Sequence, residues 1–183
     1  MGKHSTGDEK RGGVNFAYVS RVALALLLAS AGVLAVVFSN IVRQWEAAGS
    51  ALAMSFVTPG KSFAIGQVAY FGMGTDTPRG IDITELCSAI VVVAPLLILA
   101  ALMMLLKRFK VSTVLIALAI GLGIVVVANL LRMAMIAFGW DRFGQQGFNA
   151  VHLGYGSIFA LLAFATGILV FLRLSFGKKR IAR

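Results

Sequence analysis

Residues 87–110 read CSAIVVVAPLLILAALMMLLKRFK. From Cys87 to Leu106 no residue is charged, and a helix of that length rises roughly 30 Å, the thickness of the hydrocarbon core of a bilayer. Lys107, Arg108 and Lys110 then close the run with a compact basic cluster.

Three further stretches share this character. Residues 16–39 are interrupted only by Arg21, residues 111–138 carry Asn129 and Arg132 as their only strongly polar members after the first turn, and residues 151–172 are again apolar. The whole chain agrees: of 183 residues, 59% are hydrophobic and 13% charged, with a mean hydropathy of +0.90, far more apolar than a soluble domain tolerates. The predicted fold class is an all-α membrane protein with four transmembrane helices. The first run is too long for a cleavable signal peptide, and no small-residue cleavage site with a soluble domain follows it, so it is read as a retained anchor.

Lys and Arg set the expected orientation, because basic residues in short loops stay cytoplasmic. Lys3, Lys10, Arg11 and Arg21 lie at or before the start of the first run, and Lys107, Arg108 and Lys110 join the second to the third. Arg173, Lys178, Lys179, Arg180 and Arg183 follow the fourth. Both termini are expected inside, with residues 1–15 a solvated cytoplasmic tail in which His4 is inert and residues 16–183 a single membrane domain. This asymmetry accounts for the net charge of +10. No basic residues interleave with exposed aromatics in a polar domain, so no nucleic-acid partner is expected.

The outer loop, residues 40–86, is the largest piece outside the predicted spans. Its first half, 43–57, holds Trp45 and AAGSALAMSFV, too short to span and apolar enough to lie at the headgroup boundary as an interfacial helix. In the second half Phe63, Ile65, Val68 and Tyr70 alternate with a phase slip at Gly66 and Gln67, and Ile81 and Ile83 alternate with Asp82 and Thr84. This predicts a short β-hairpin before the second span, with a bulge at the slip. Residues 139–150 read as a short polar loop.

Three polar residues fall at one expected depth. Cys87, the only cysteine in the chain, opens the second span roughly 30 Å from Lys107; Arg132 lies about 33 Å from Lys110; His152 opens the fourth span about 30 Å from Arg173. Successive spans joined by short connections pack as neighbours. A thiolate is a nucleophile whose pKa falls beside a cation or a helix N-terminus. An imidazole can take its proton and pass it to a leaving amine, and a guanidinium can stabilise the oxyanion of an attacked acyl carbon. Together they describe acyl transfer on a peptide. Taken singly, Cys87 reads equally as a small buried hydrophobe, Arg132 as a side chain reaching for headgroups and His152 as a structural helix-start residue.

Asn129, one turn before Arg132, is placed to hold the guanidinium or to bond a neighbouring helix. Tyr155, one turn beyond His152, is placed to orient its ring or to sit at the interface. Glu85 is placed to pair with Arg132 or His152, or simply to precede a helix start. Small residues at four-residue spacing, Ala117 with Gly121, Ala119 with Gly123 and Gly156 with Ala160, offer faces for close helix approach.

The runs ELCSAI, NLLRMAM and HLGYGSI, in that order at the outer ends of successive helices, resemble the exosortase and archaeosortase family. The similarity covers roughly residues 80–165. Ala89 stands where that family's box has Gly after Cys-Ser, and the chain has fewer spans than many members. The resemblance implies Cys87 as nucleophile, His152 as proton-transfer partner and Arg132 as transition-state stabiliser, with Asn129, Tyr155 and Ser88 in support. It also implies a substrate class: exported proteins ending in a recognition motif, a membrane helix and a basic tail. These would be cleaved at the outer face of the cell membrane through a thioester resolved by an amine acceptor or water. No cofactor or metal is expected. Two competing readings remain: a non-catalytic multi-pass assembly or transport subunit, and a peptidase using Asp82 and Asp141.

Overall fold

The computed structural model describes residues 16–177; the expected tail and the basic cluster Lys178, Lys179, Arg180 and Arg183 lie outside them. The described chain is mainly helical. It runs α1 (Phe16–Val37), α2 (Ser39–Met54), β1 (Lys61–Ile65), β2 (Val68–Met73), β3 (Arg79–Asp82), α3 (Ile90–Leu105), α4 (Val111–Asn149) and α5 (Gly156–Phe176).

Two helical stretches are long and apolar enough to cross a membrane: Tyr18–Val37, and Val111–Phe176, which contains a break. Ile90–Leu105 is apolar but shorter. Their outward faces carry large apolar side chains such as Leu26, Leu27, Leu161 and Leu162, each more than three-fifths exposed. α1 lies along α3, and α4 lies along both α3 and α5. Where α4 meets α5, Gly121 and Gly167 face each other, and a Cβ on either would stand 3.1–3.2 Å from the other's carbonyl oxygen. The small-residue face of Ala117 and Gly121 is therefore the bundle seam. Gly123 meets nothing within 4 Å.

One end of the bundle is tied by basic residues. Arg21 of α1 donates to the Leu106 carbonyl at 3.3 Å and to that of Phe109, placing a cation on the turn that follows the C-terminal end of α3. Arg108 stacks on Phe109 and on Phe176 at the end of α5. The start of α1, the 106–110 turn and the end of α5 thus share one end.

At the opposite end α2 follows α1 after a single turn residue, Phe38, and packs with a three-stranded antiparallel sheet in the order β1-β2-β3. Ala47, Ala51 and Met54 of α2, Ala69 and Phe71 of β2, Ile81 and Ile83, and Met133, Ile136 and Ala137 of α4 form one buried core. Alternation puts Ala69, Phe71 and Ile81 on one sheet face.

Several expectations change. The sheet has three strands rather than a hairpin, because residues 68–73 pair on both sides. Gly66, at φ +58, takes part in the turn between β1 and β2, a conformation glycine adopts without strain. The slip there marks a turn, and the register irregularity falls instead between Lys61 and Phe63.

The expected loop 139–150 is helical, apart from Gly144 at φ 60, ψ −149. That one reversal folds the end of α4 back on itself, so that a Cβ on Gly147 would fall 2.1 Å from the Gly139 oxygen. A π-helical turn, Ala150–Tyr155, then leads into α5, so the boundary expected at residue 151 is a change of winding. Finally, α3 begins at Ile90 rather than Cys87. Ser88 is extended and its hydroxyl accepts from the Ile90 N–H at 3.2 Å, a local bond that competes with helix at this position.

Candidate active site

Cys87 ends a single 3₁₀ turn, Glu85–Cys87, that precedes α3. Its N–H donates to the Thr84 carbonyl at 3.0 Å, and the residue is buried, 6% exposed. The turn is fastened to α2 by a carboxylate. Glu46 Oε1 accepts from the Ala89 N–H at 2.9 Å, and the Ser88 hydroxyl lies within hydrogen-bonding reach of the same group. A carboxylate on a backbone N–H just before Ile90 supplies from another helix what an N-cap supplies locally. Burial raises the Glu46 carboxyl above the usual carboxylate range, against the opposing pull of Ser88, the Ala89 N–H and Arg43. Arg43, one turn earlier on α2, reaches Glu85 at 3.8 Å and donates to Asn40. Glu85 therefore pairs with Arg43, and not with Arg132 or His152 as expected. The arginine lies close across the turn.

On α4, Asn129 and Arg132 are both buried. Asn129 Oδ1 has no hydrogen-bond partner, and neither has Arg132 Nε. Asn129 does not hold the guanidinium. Among the described residues Arg132 forms no ion pair, and its charge acts on His152. Moving an ion out of water costs several kcal/mol when nothing compensates it, whereas burying a leucine gains only about 1.5–3 kcal/mol. Packing alone does not account for a guanidinium here.

His152 sits in the π-helical turn. Its ring stacks on Phe148 at 5.0 Å and 14°, its Nδ1 is buried without a partner, and the Arg132 charge acts on it. Phe148 in turn meets Trp140 at 4.5 Å, and Trp140 meets Phe71 at 6.1 Å. The imidazole thus ends a row of rings anchored in the sheet. Tyr155 does not orient it: that side chain is 72% exposed, because the wider π turn carries it outward.

Between α1, α2, α3 and α4 lies a cavity of about 180 Å³ whose two polar lining residues are Glu46 and Asn129. It is bordered by Ala89 and Ile90, just past Cys87. The structure thus sets His152 within reach of the Arg132 charge, and gathers Glu46, Asn129 and Ala89 around one cavity. It shows no hydrogen bond from the Cys87 thiol to Arg132 or His152.

Two residues were missed by sequence reasoning. Glu46 was passed over inside an amphipathic stretch, where its only signal was an acid one turn after Arg43. Phe148 was assigned to a loop, and its spacing of four from His152 becomes a signal only once 145–155 is read as helix. Among the described residues no three His, Cys, Asp or Glu side chains gather to hold a metal. Compared with known proteins, the chain matches no family model, no curated protein and no solved structure.

Proposed function

We propose that the chain is a multi-pass membrane cysteine peptidase or transpeptidase of exosortase and archaeosortase type, with four spans, both termini cytoplasmic and its site on the outer side. It would cleave the C-terminal sorting signals of exported proteins. The observation that supports this reading is the buried guanidinium of Arg132, without an ion pair among the described residues, whose charge reaches the His152 imidazole with its unpartnered Nδ1, at the end of the bundle that also holds the Cys87 turn. The basic residues gathered at the other end support the orientation.

In this mechanism His152 takes the Cys87 proton and the sulfur attacks the scissile carbonyl carbon. The oxygen gathers negative charge in front of Arg132, which supplies the acceptor-free donors such an anion requires. Collapse breaks the C–N bond, the proton on His152 goes to the leaving amine, and the acyl group remains on sulfur as a thioester. An amine or water then releases it. α2 holds the nucleophile's turn through Glu46.

Co-expression with an exported protein that carries a C-terminal motif, a membrane helix and a basic tail tests the reading. The native chain should shorten that substrate. Cys87→Ala should insert normally and leave the tail intact, and continued shortening by this variant would refute the proposal.

A further inference from the structure

At the basic end of the bundle, α1 and the turn before α4 enclose an open hollow of about 590 Å³, within the size range of small-molecule sites. Three cations line it, Arg21 of α1 and Lys107 and Lys110 of the turn, together with Ser112 at the start of α4. Lys107, Lys110 and Ser112 are exposed, and among the described residues no ion pair engages any of the three cations. The acids of residues 16–177 are Glu46, Asp76, Asp82, Glu85 and Asp141, all in α2, in the segment from the sheet to the Cys87 turn, or in the far part of α4. Retention of basic residues on one side of a membrane accounts for lysines in a short connection. It does not ask them to converge with a third cation from α1 around one hollow.

Apolar rows continue the hollow along both helices. On α1, Leu24 lines it and Leu27, one turn on, is 66% exposed. On α4, Ser112 lines it and Ile116, one turn on, is 62% exposed. Residues three and four apart share a helix face, so a cationic mouth opens onto apolar side chains that face outward from the bundle. A free phosphate ion would use the mouth and leave these rows idle, whereas a phospholipid uses both.

We propose that this hollow binds an anionic phospholipid: its headgroup phosphate sits among Lys107, Lys110 and Arg21 and accepts from the Ser112 hydroxyl, and an acyl chain lies along Leu27 or Ile116. Basic pockets between membrane helices suit such headgroups. The bound lipid bridges α1 to the turn between α3 and α4, adding to the tie that Arg21 makes there. The inference goes beyond the cysteine reading and does not depend on it.

The test uses the full chain in a neutral detergent, with dioleoylphosphatidylglycerol or the zwitterionic dioleoylphosphatidylcholine added in equal amounts. Native mass spectrometry counts bound lipid, and thermal unfolding reads its consequence. The native chain should retain phosphatidylglycerol about tenfold more than phosphatidylcholine, and its midpoint should rise with the former alone. Combining Lys107→Gln with Lys110→Gln should cut retention about tenfold or more and abolish the rise, while the lipid-free midpoint stays level because both side chains are exposed. Arg108→Gln controls for diffuse charge: that guanidinium lies over Phe109 and Phe176 and does not line the hollow, so retention should stay within about twofold of native. Millimolar inorganic phosphate should not displace the lipid. Equal retention of the two lipids by the native chain, an equal loss in Arg108→Gln and the double variant, or displacement by inorganic phosphate would each overturn the proposal.

Discussion

Arg21 and Arg132 stand at opposite ends of the same bundle, and what surrounds them differs in kind. Arg21 is half-buried and donates from one terminal nitrogen to the Leu106 and Phe109 carbonyls of the turn between α3 and α4, although its Nε, like that of Arg132, has no partner. Arg132 is more deeply buried, forms no ion pair among the described residues, and its charge reaches the His152 imidazole. The first arginine completes the fold. The second has no hydrogen-bond acceptor among the described residues, which is what the proposed role towards a developing oxyanion would use.

The largest expected effect separates these roles. Arg132→Met should lower substrate processing about 10²–10³-fold while the thermal midpoint stays level or rises, since an uncompensated buried charge is replaced by an apolar chain of similar length. Arg21→Met should do the reverse, costing about 1–3 kcal/mol of stability through the Phe109 carbonyl left bare with processing per folded molecule retained. Paired unfolding and processing assays check both, and a stability loss for Arg132→Met would break the contrast.

A second contrast lies between glycines. Gly147→Ala would set a Cβ 2.1 Å from the Gly139 oxygen and should cost about 1–3 kcal/mol, disturbing the fold-back that leads to Phe148 and His152. Gly123→Ala meets open space and should be neutral or stabilise the helix by up to about 1 kcal/mol. Thermal unfolding of the two variants side by side measures this.

The smallest effect is on pH dependence. The folded chain binds a proton at Glu46 more tightly than the unfolded chain does, so this group's contribution favours folding most below its ordinary pKa of 4.5. That contribution is lost as pH rises through the higher folded-state value. Glu46→Gln should flatten this part of the stability profile, and equilibrium unfolding at stepped pH checks it.

The helices were legible because runs of apolar residues bounded by Arg and Lys report length and ends directly, as at Leu106 and Lys107. The interfacial stretch 43–57 was legible as a helix, which the structure places at Ser39–Met54. Strand β2 was only half visible, since Val68 and Tyr70 carry the alternation while Gly72 and Met73 resemble turn. Residues 139–150 misled because three glycines and several polar residues imitate a loop, although only Gly144 departs from helical geometry. In the site, Arg132 and His152 could be aligned by counting helical rise. Glu46 could not, because its meaning lies in a bond to Ala89, far away in sequence, that no periodicity encodes. Tyr155 failed for a related reason: a π turn changes which neighbours share a face.

The most direct measurement is a search for substrate covalently held on sulfur. With the native chain and a tail-bearing exported protein, rapid acid quenching followed by peptide mass spectrometry should find an acyl group on Cys87 that hydroxylamine removes. Tail cleavage that proceeds with Cys87 unmodified at every time point, and that survives Cys87→Ala, would contradict the account.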